Sequence, residues 1–450
     1  MNTPEALPFH VAPMTLPPLT ETALPNGLSV VTVERHDLPL VTVRLVIGTG
    51  SARDPLGKDG LAAFTADLLR RGTARRSADQ IDDAIESVGG LLGVDAGLEA
   101  TGLTATVPSD HAAGALEVIA DLAQRASFPE PEVELARRRT LALLAQLLDE
   151  PSSVADRALV DIFYGKDHAY GHPGDGRAST VETFRREDAA AFRDATYRPA
   201  GALLLFAGDI RPEEAVQLAR NAFGEWEGEP LASSSPAAAA RPRGLDVLLV
   251  DKADATQAQV RLAVPGIARK DVRFYAAVLA NAVVGGGFTS RLVDEVRVNR
   301  GLSYSVGTRL VALRELGAVT LATFTKSETA REILDVSLGV LDAFRAEGPT
   351  AQELDKARRY VIGLYPERVE SNEQLAEALS SARFLGLPFD VVARYRDELA
   401  RATLPEVVEM ARLFPGSDGA KVVVVGRAGE IAAQLEGLGA VTVRKVDDFR

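Results

Sequence analysis

An arginine and a tyrosine seven positions apart, Arg297 and Tyr304, close the stretch GGGFTSRLVDEVRVNRGLSY at residues 285–304. A guanidinium carries five N–H donors in a fixed fork and can clamp peptide carbonyls, while a phenol O–H can donate to an oxygen gaining negative charge. The spacing predicts a short helix from Ser290 to Asn299, ended by Gly301, with Tyr304 opening the next strand, so that both side chains enter one cleft. Gly285, Gly286 and Gly287 precede the helix. They either let a peptide backbone approach closely or simply turn the chain between two helices. The run GGGFTS does not fit a dinucleotide loop, since Ser290 stands where the last glycine belongs and a helix-like AAVLANAVV precedes it instead of a strand.

The elements that must position these residues come as one unit written twice. VVTVERHDLPLVTVRLVIG (30–48) lies over VLLVDKADATQAQVRLAVPG (247–266), with Arg44-Leu45 on Arg261-Leu262 at an offset of 217. Ser109 lies on Ser327 at 218 and Leu135 on Leu354 at 219, and a drift of two over that distance marks a repeat. Each half reads as two strands (29–34 and 40–48; 246–250 and 257–264), a helix, two more strands (90–97 and 100–107; 303–312 and 316–324), long helices (109–126 and 131–165; 327–346 and 350–387) and a last strand (201–210; 420–429). The predicted fold is α+β, two homologous domains, each a largely antiparallel sheet with helices packed on one face. The aperiodic EPLASSSPAAAARPRG is read as a linker, giving domains at 1–228 and 245–450 with the linker at 229–244.

Composition narrows the function. A net charge of −13 opposes nucleic-acid binding, and the absence of cysteine removes thiolate metal sites, iron–sulfur clusters and cysteine nucleophiles. No G-x-S-x-G elbow occurs. The Pro-rich N-terminus reads as extended. With no signal-like segment and no spanning run of about 20 apolar residues, the expectation is a cytoplasmic chain without membrane contact, although a chain whose leader had been removed would read the same way.

The segment GSARDPLGKDGLAAFTADLLRRGT (50–73) and the motif at 285–306 resemble the pitrilysin/insulinase/mitochondrial-processing-peptidase family, over roughly residues 20 to 440. Active members carry H-x-x-E-H on the early helix, two zinc ligands and a general base, with a later Glu as third protein ligand. The matching positions here are Ala63, Ala66 and Asp67, and the spacing puts the late Glu near Leu144, flanked by Leu143 and Ala145. No zinc or other cofactor is therefore expected in this chain, because a catalytic site needs about three protein ligands. His168 and His172, in DHAYGHP, resemble a structural loop of the family and not a metal pair. The resemblance implies that Arg297 and Tyr304 act in trans, in a non-zinc, substrate-binding subunit of a heterodimeric metallopeptidase. A homologous partner would hold the zinc, and the substrate would be an unfolded peptide contacted by Gly285, Gly286 and Gly287. The alternative is a non-catalytic scaffold or assembly protein of the same fold.

Overall fold

The computed structural model describes residues 13–232 and 236–450. The first twelve residues of the N-terminal segment read as extended, with His10 among them, and residues 233–235 of the linker lie outside the described residues. Each half builds a six-stranded sheet. The first runs β1 (Leu19–Ala23), β2 (Ser29–Glu34), β3 (Leu40–Ile47), β4 (Leu91–Ala96), β5 (Thr101–Pro108) and β6 (Leu203–Gly208). The second runs β7 (Gly244–Asp251), β8 (Ala258–Pro265), β9 (Val306–Ala312), β10 (Gly317–Thr325), β11 (Gly419–Gly426) and β12 (Gly439–Lys445).

Spatial orders are β1-β2-β6-β3-β5-β4 and β12-β7-β11-β8-β10-β9. Five strands occupy equivalent places in the two sheets, which is the repeat in three dimensions. Most pairs are antiparallel, while β2–β6, β7–β11 and β7–β12 are parallel. The added edge strands differ: β1 comes from the N-terminal side and pairs antiparallel with β2, whereas β12 comes from the C-terminus. Neither was visible as a strand in the sequence. The predicted helix at 131–165 is two helices broken at Pro151, and 350–387 breaks near Pro366, since proline cannot continue the ladder of the preceding turn.

The helices needed below are α1 (Leu61–Leu69), α2 (Glu130–Asp149), α3 (Pro151–Tyr164), α4 (Phe274–Val284) and α5 (Asn372–Phe384). The main helical layer of each half covers one face of its own sheet, as expected, and forms the two large cores. The opposite face is covered by a helix from the other half. Helix α5 lays Leu375 and Leu379 on Val31, Val33, Leu203 and Leu205, and α3 lays Val154, Ala155 and Ala158 on Leu248, Val250, Val423 and Val425. Burial on both faces accounts for the unbroken apolar runs LLLFAG and KVVVVG, which lack the alternation of a half-exposed strand.

Two arginines pin the exchange. Arg44 of β3 pairs with Glu377 of α5 and donates to Ser380 Oγ at 3.3 Å. Arg261 of β8 pairs with Asp156 of α3 at 2.6 Å and donates to Ser152 O at 3.3 Å. The repeat thus places the same ion pair at each crossing.

Candidate functional site

Helix α4 ends at the glycines, and their backbone is used internally. A Cβ on Gly285 would sit 2.4 Å from Thr308 Oγ1 of β9, and Gly285 O accepts from Thr308 N at 3.1 Å. Gly286 N donates back to Asn281 O at 2.7 Å. Gly287 lies against the Tyr360 ring, which a Cβ would meet at 3.3 Å. The triplet therefore folds tightly onto its own helix and strand and projects Phe288, which is 78% exposed.

The predicted helix is present but is a π-helix over Val293–Asn299, with Arg300 N bonded to Glu295 O at 3.1 Å, five residues back. Such wide turns are uncommon and recur at functional sites. Val293 and Val296 anchor it in the core, and Gly301, at φ +62°, ends it. The strand starts at Val306, so Tyr304 stands on the connection before it and not on the strand as predicted; Ser303 Oγ bonds to Ser305 O and holds the bend there.

This arrangement brings Arg297 and Tyr304 together. The Arg297 guanidinium lies 4.3 Å from the centre of the Tyr304 ring and 6.0 Å from that of Phe288. The contacts are cation–π in character and restrict the arginine without consuming its N–H donors. Tyr304 is 74% exposed, so its hydroxyl is open to a ligand. Phe288 was part of the sequence motif, but nothing in its spacing marked it as a neighbour of Arg297; only its place at the tip of the glycine loop did.

The degenerate metal positions show the opposite character. Ala63 and Ala66 lie on α1, and Asp67 is exposed and paired with Arg71 one turn on, at 3.1 Å. Leu144, on α2, is buried in the first core with Leu61, Phe64 and Leu68. These side chains do not fit a zinc ion: two methyls, an isobutyl group and one carboxylate already engaged supply no ligand set. Among the described residues no group of three or more His, Cys, Asp or Glu is placed to hold a metal. The purified chain is expected to carry less than about 0.1 zinc per molecule after dialysis, because a catalytic site takes three protein ligands; one equivalent by elemental analysis would contradict this.

The start of α1 is held by polar contacts. Gly60, at φ +91°, packs so tightly on Gly176 that a Cβ would lie 2.5 Å from its Cα. Buried Asp54 accepts from Gly60 N at 2.7 Å and Ala62 N at 2.8 Å. His172 Nδ1 bonds Asp59 at 2.6 Å, and His168 Nε2 bonds Ala237 O at 2.7 Å, so both loop histidines serve structural contacts. Burial pushes the Asp54 carboxyl up to about 7 from the usual 3.8, against its two backbone donors and nearby His172. The folded state then holds that proton more tightly than the unfolded chain. Its contribution favours folding below about pH 4 and is lost as pH rises to about 7. Urea midpoints should show wild type losing stability relative to Asp54→Asn across that window, by up to about 1.4 kcal/mol per pH unit; parallel profiles would contradict the assignment.

Comparison with known proteins gives the family and the fold. Residues 29–172 match the family model for insulinase (peptidase family M16), and residues 183–361 match that for the peptidase M16 inactive domain. A protein described as an uncharacterized zinc protease of Mycobacterium bovis is 30% identical over 344 residues, covering 76% of this chain and 78% of that protein. The chain belongs to the peptidase M16 family. A second uncharacterized zinc protease, from Streptomyces coelicolor, is 29% identical over 343 residues, covering 75% of this M16 chain and 74% of that protein. The crystal structure of a peptidase M16 inactive domain from Pseudomonas fluorescens superposes with a TM-score of 0.85 at 25% identity, over 91% of this chain and 98% of that one. A protease from Helicobacter pylori shares the fold, with a TM-score of 0.83 at 18% identity over 92% and 100%. No helix among the described residues of this M16 chain is long and apolar enough to cross a membrane.

Proposed function

We propose that this chain is the non-zinc, substrate-binding subunit of a heterodimeric M16 metallopeptidase that degrades or processes peptides. Its partner is a homologous chain that carries H-x-x-E-H and holds the zinc. The observation that carries the reading is a contrast within one molecule. Three of the four zinc positions, Ala63, Ala66 and Leu144, hold apolar side chains and the fourth, Asp67, is tied to Arg71, while the half-buried Arg297 stands beside exposed Tyr304 and Phe288.

In the assembled enzyme the Tyr304 hydroxyl donates to the oxygen of the scissile carbonyl as it gains negative charge, a contribution that grows toward the transition state. The Arg297 fork holds a neighbouring substrate carbonyl and fixes the register of the peptide. The peptide lies extended. Strand β9, which begins two residues beyond Tyr304, is the edge of its sheet; on its outer side Thr308 N is taken by Gly285 O, and such a substrate pairs along the remainder.

The test is to purify the chain together with a homologue bearing H-x-x-E-H and to follow a quenched fluorescent peptide. Cleavage is expected only with both chains present. A binding partner without zinc ligands, or a chain that binds no peptide in any combination, would replace this reading with the scaffold one.

A further inference from the structure

A second site lies at the seam between the halves, away from Arg297 and Tyr304. The β4–β5 and β9–β10 turns meet there: Arg314 N donates to Glu99 Oε2 at 3.3 Å, and the Tyr170 hydroxyl donates to Glu99 Oε1 at 2.5 Å. Beneath them is a cavity of about 450 Å³, walled by Leu98, Phe163, Tyr164, Val311 and Leu313. That volume lies in the range of small-molecule sites, roughly 300–1,000 Å³.

Arg157 also lines this apolar cavity, and its side chain is only 10% exposed. Nη2 donates to Gly176 O at 2.6 Å. Nη1 stands 3.8 Å from Asp175 Oδ2, too far for a hydrogen bond, and Nε has no hydrogen-bond partner among the described residues. A buried guanidinium with two nitrogens that make no hydrogen bond is a poor arrangement for stability alone, since buried donors are almost always satisfied. His172 lines the same cavity. Its Nδ1–H donates to Asp59; Nε2 has no protein partner among the described residues and becomes a second donor when the ring is protonated, the form the Asp59 carboxylate favours.

We propose that this cavity binds a small monocarboxylate with an apolar body, the carboxylate on Arg157 and His172 and the body against Leu98, Phe163 and Leu313. A guanidinium fork matches a carboxylate's two oxygens. A doubly charged anion is disfavoured, because Asp175 and Asp59 flank the two donors. Nε and Nη1 are closed to solvent, so binding requires the guanidinium to turn toward the cavity as Asp175, 57% exposed, swings aside. Two sources share this chemistry: an alkanoate, and the C-terminal carboxylate of a peptide ending in apolar residues. The inference stands independently of the peptidase reading, because its test is binding to this chain without a partner subunit.

Titration calorimetry on the full chain would compare decanoate with decanol, and N-acetyl-Phe-Leu acid with its amide. At least one acid is expected to bind ten-fold or more tightly than its uncharged counterpart, and which acid does so identifies the source. Arg157→Gln should weaken that binding by about 10–100-fold, the weight of a charge-assisted hydrogen bond. Leu98→Trp, which fills the cavity and leaves the arginine intact, should abolish it; the acid-against-neutral comparison on wild type stands even if Arg157→Gln folds poorly. Equal binding of acid and neutral ligands, binding that survives Leu98→Trp, or no heat with any ligand up to about 5 mM would overturn the proposal.

Discussion

Replacing Tyr304 by Phe and Arg297 by Ala together should lower kcat for peptide cleavage by the assembled pair by about 10²–10³, the loss typical of removing an oxyanion donor. The single changes should separate. Tyr304→Phe removes an interaction strongest in the transition state, so kcat falls and KM moves little. Arg297→Ala loosens substrate already in the ground state, so KM rises as well. Neither change should alter the thermal midpoint of the isolated chain noticeably. Tyr304 is 74% exposed and neither residue belongs to a core cluster, and exposed substitutions of this kind shift stability by no more than about 0.5 kcal/mol. Steady-state kinetics with a quenched peptide, beside a melting curve for each variant, separates the two effects. A rate loss accompanied by unfolding would mean that the pair is structural.

The second large effect concerns the exchanged helices. Leu379 belongs to the second half, yet it is fully buried against Val31, Val33, Leu203 and Leu205 of the first sheet. Leu379→Ala should cost about 2–5 kcal/mol, the range for deleting most of a buried leucine side chain. The loss should register across the seam. Amide exchange in β2 and β6 should accelerate, although the mutated residue lies some 170 positions along the chain from β6. Unchanged exchange in β6, with loosening confined to the second half, would contradict the packing. The reciprocal contact of Val154 on Val423 and Val425 predicts a smaller effect of the same kind on the second sheet for Val154→Ala.

Most strands were legible because their apolar content is local. Ser29–Glu34, Leu40–Ile47 and Gly317–Thr325 lie within a residue or so of where the pattern put them. The repeat was legible through Arg44 and Arg261, but not the reason for their match. Each anchors a helix from the opposite half, and the acidic partners Glu377 and Asp156 are distant in sequence and unremarkable as exposed helix residues. Strands β1 and β12 escaped because LTETA is short and half polar and GAVTVRK is largely exposed; what makes them strands is the neighbour they pair with, β2 and β7. In the candidate site the residue types and their spacing were readable. The π-turn and the approach of Arg297 to the Phe288 and Tyr304 rings were not, because both depend on how Val293 and Val296 seat the helix in the core. The Arg157 cavity had no linear signal, since its walls come from segments scattered through both halves of the chain.

Photocrosslinking at position 304 tests the central claim most directly. With p-benzoylphenylalanine in place of Tyr304 in the assembled pair, irradiation in the presence of a slowly cleaved peptide should attach that peptide to this chain. The adduct should map close to the scissile bond and be competed away by unlabelled substrate. Attachment only to the partner protein, or no adduct while the pair still cleaves peptide, would show that Tyr304 stands away from the reaction.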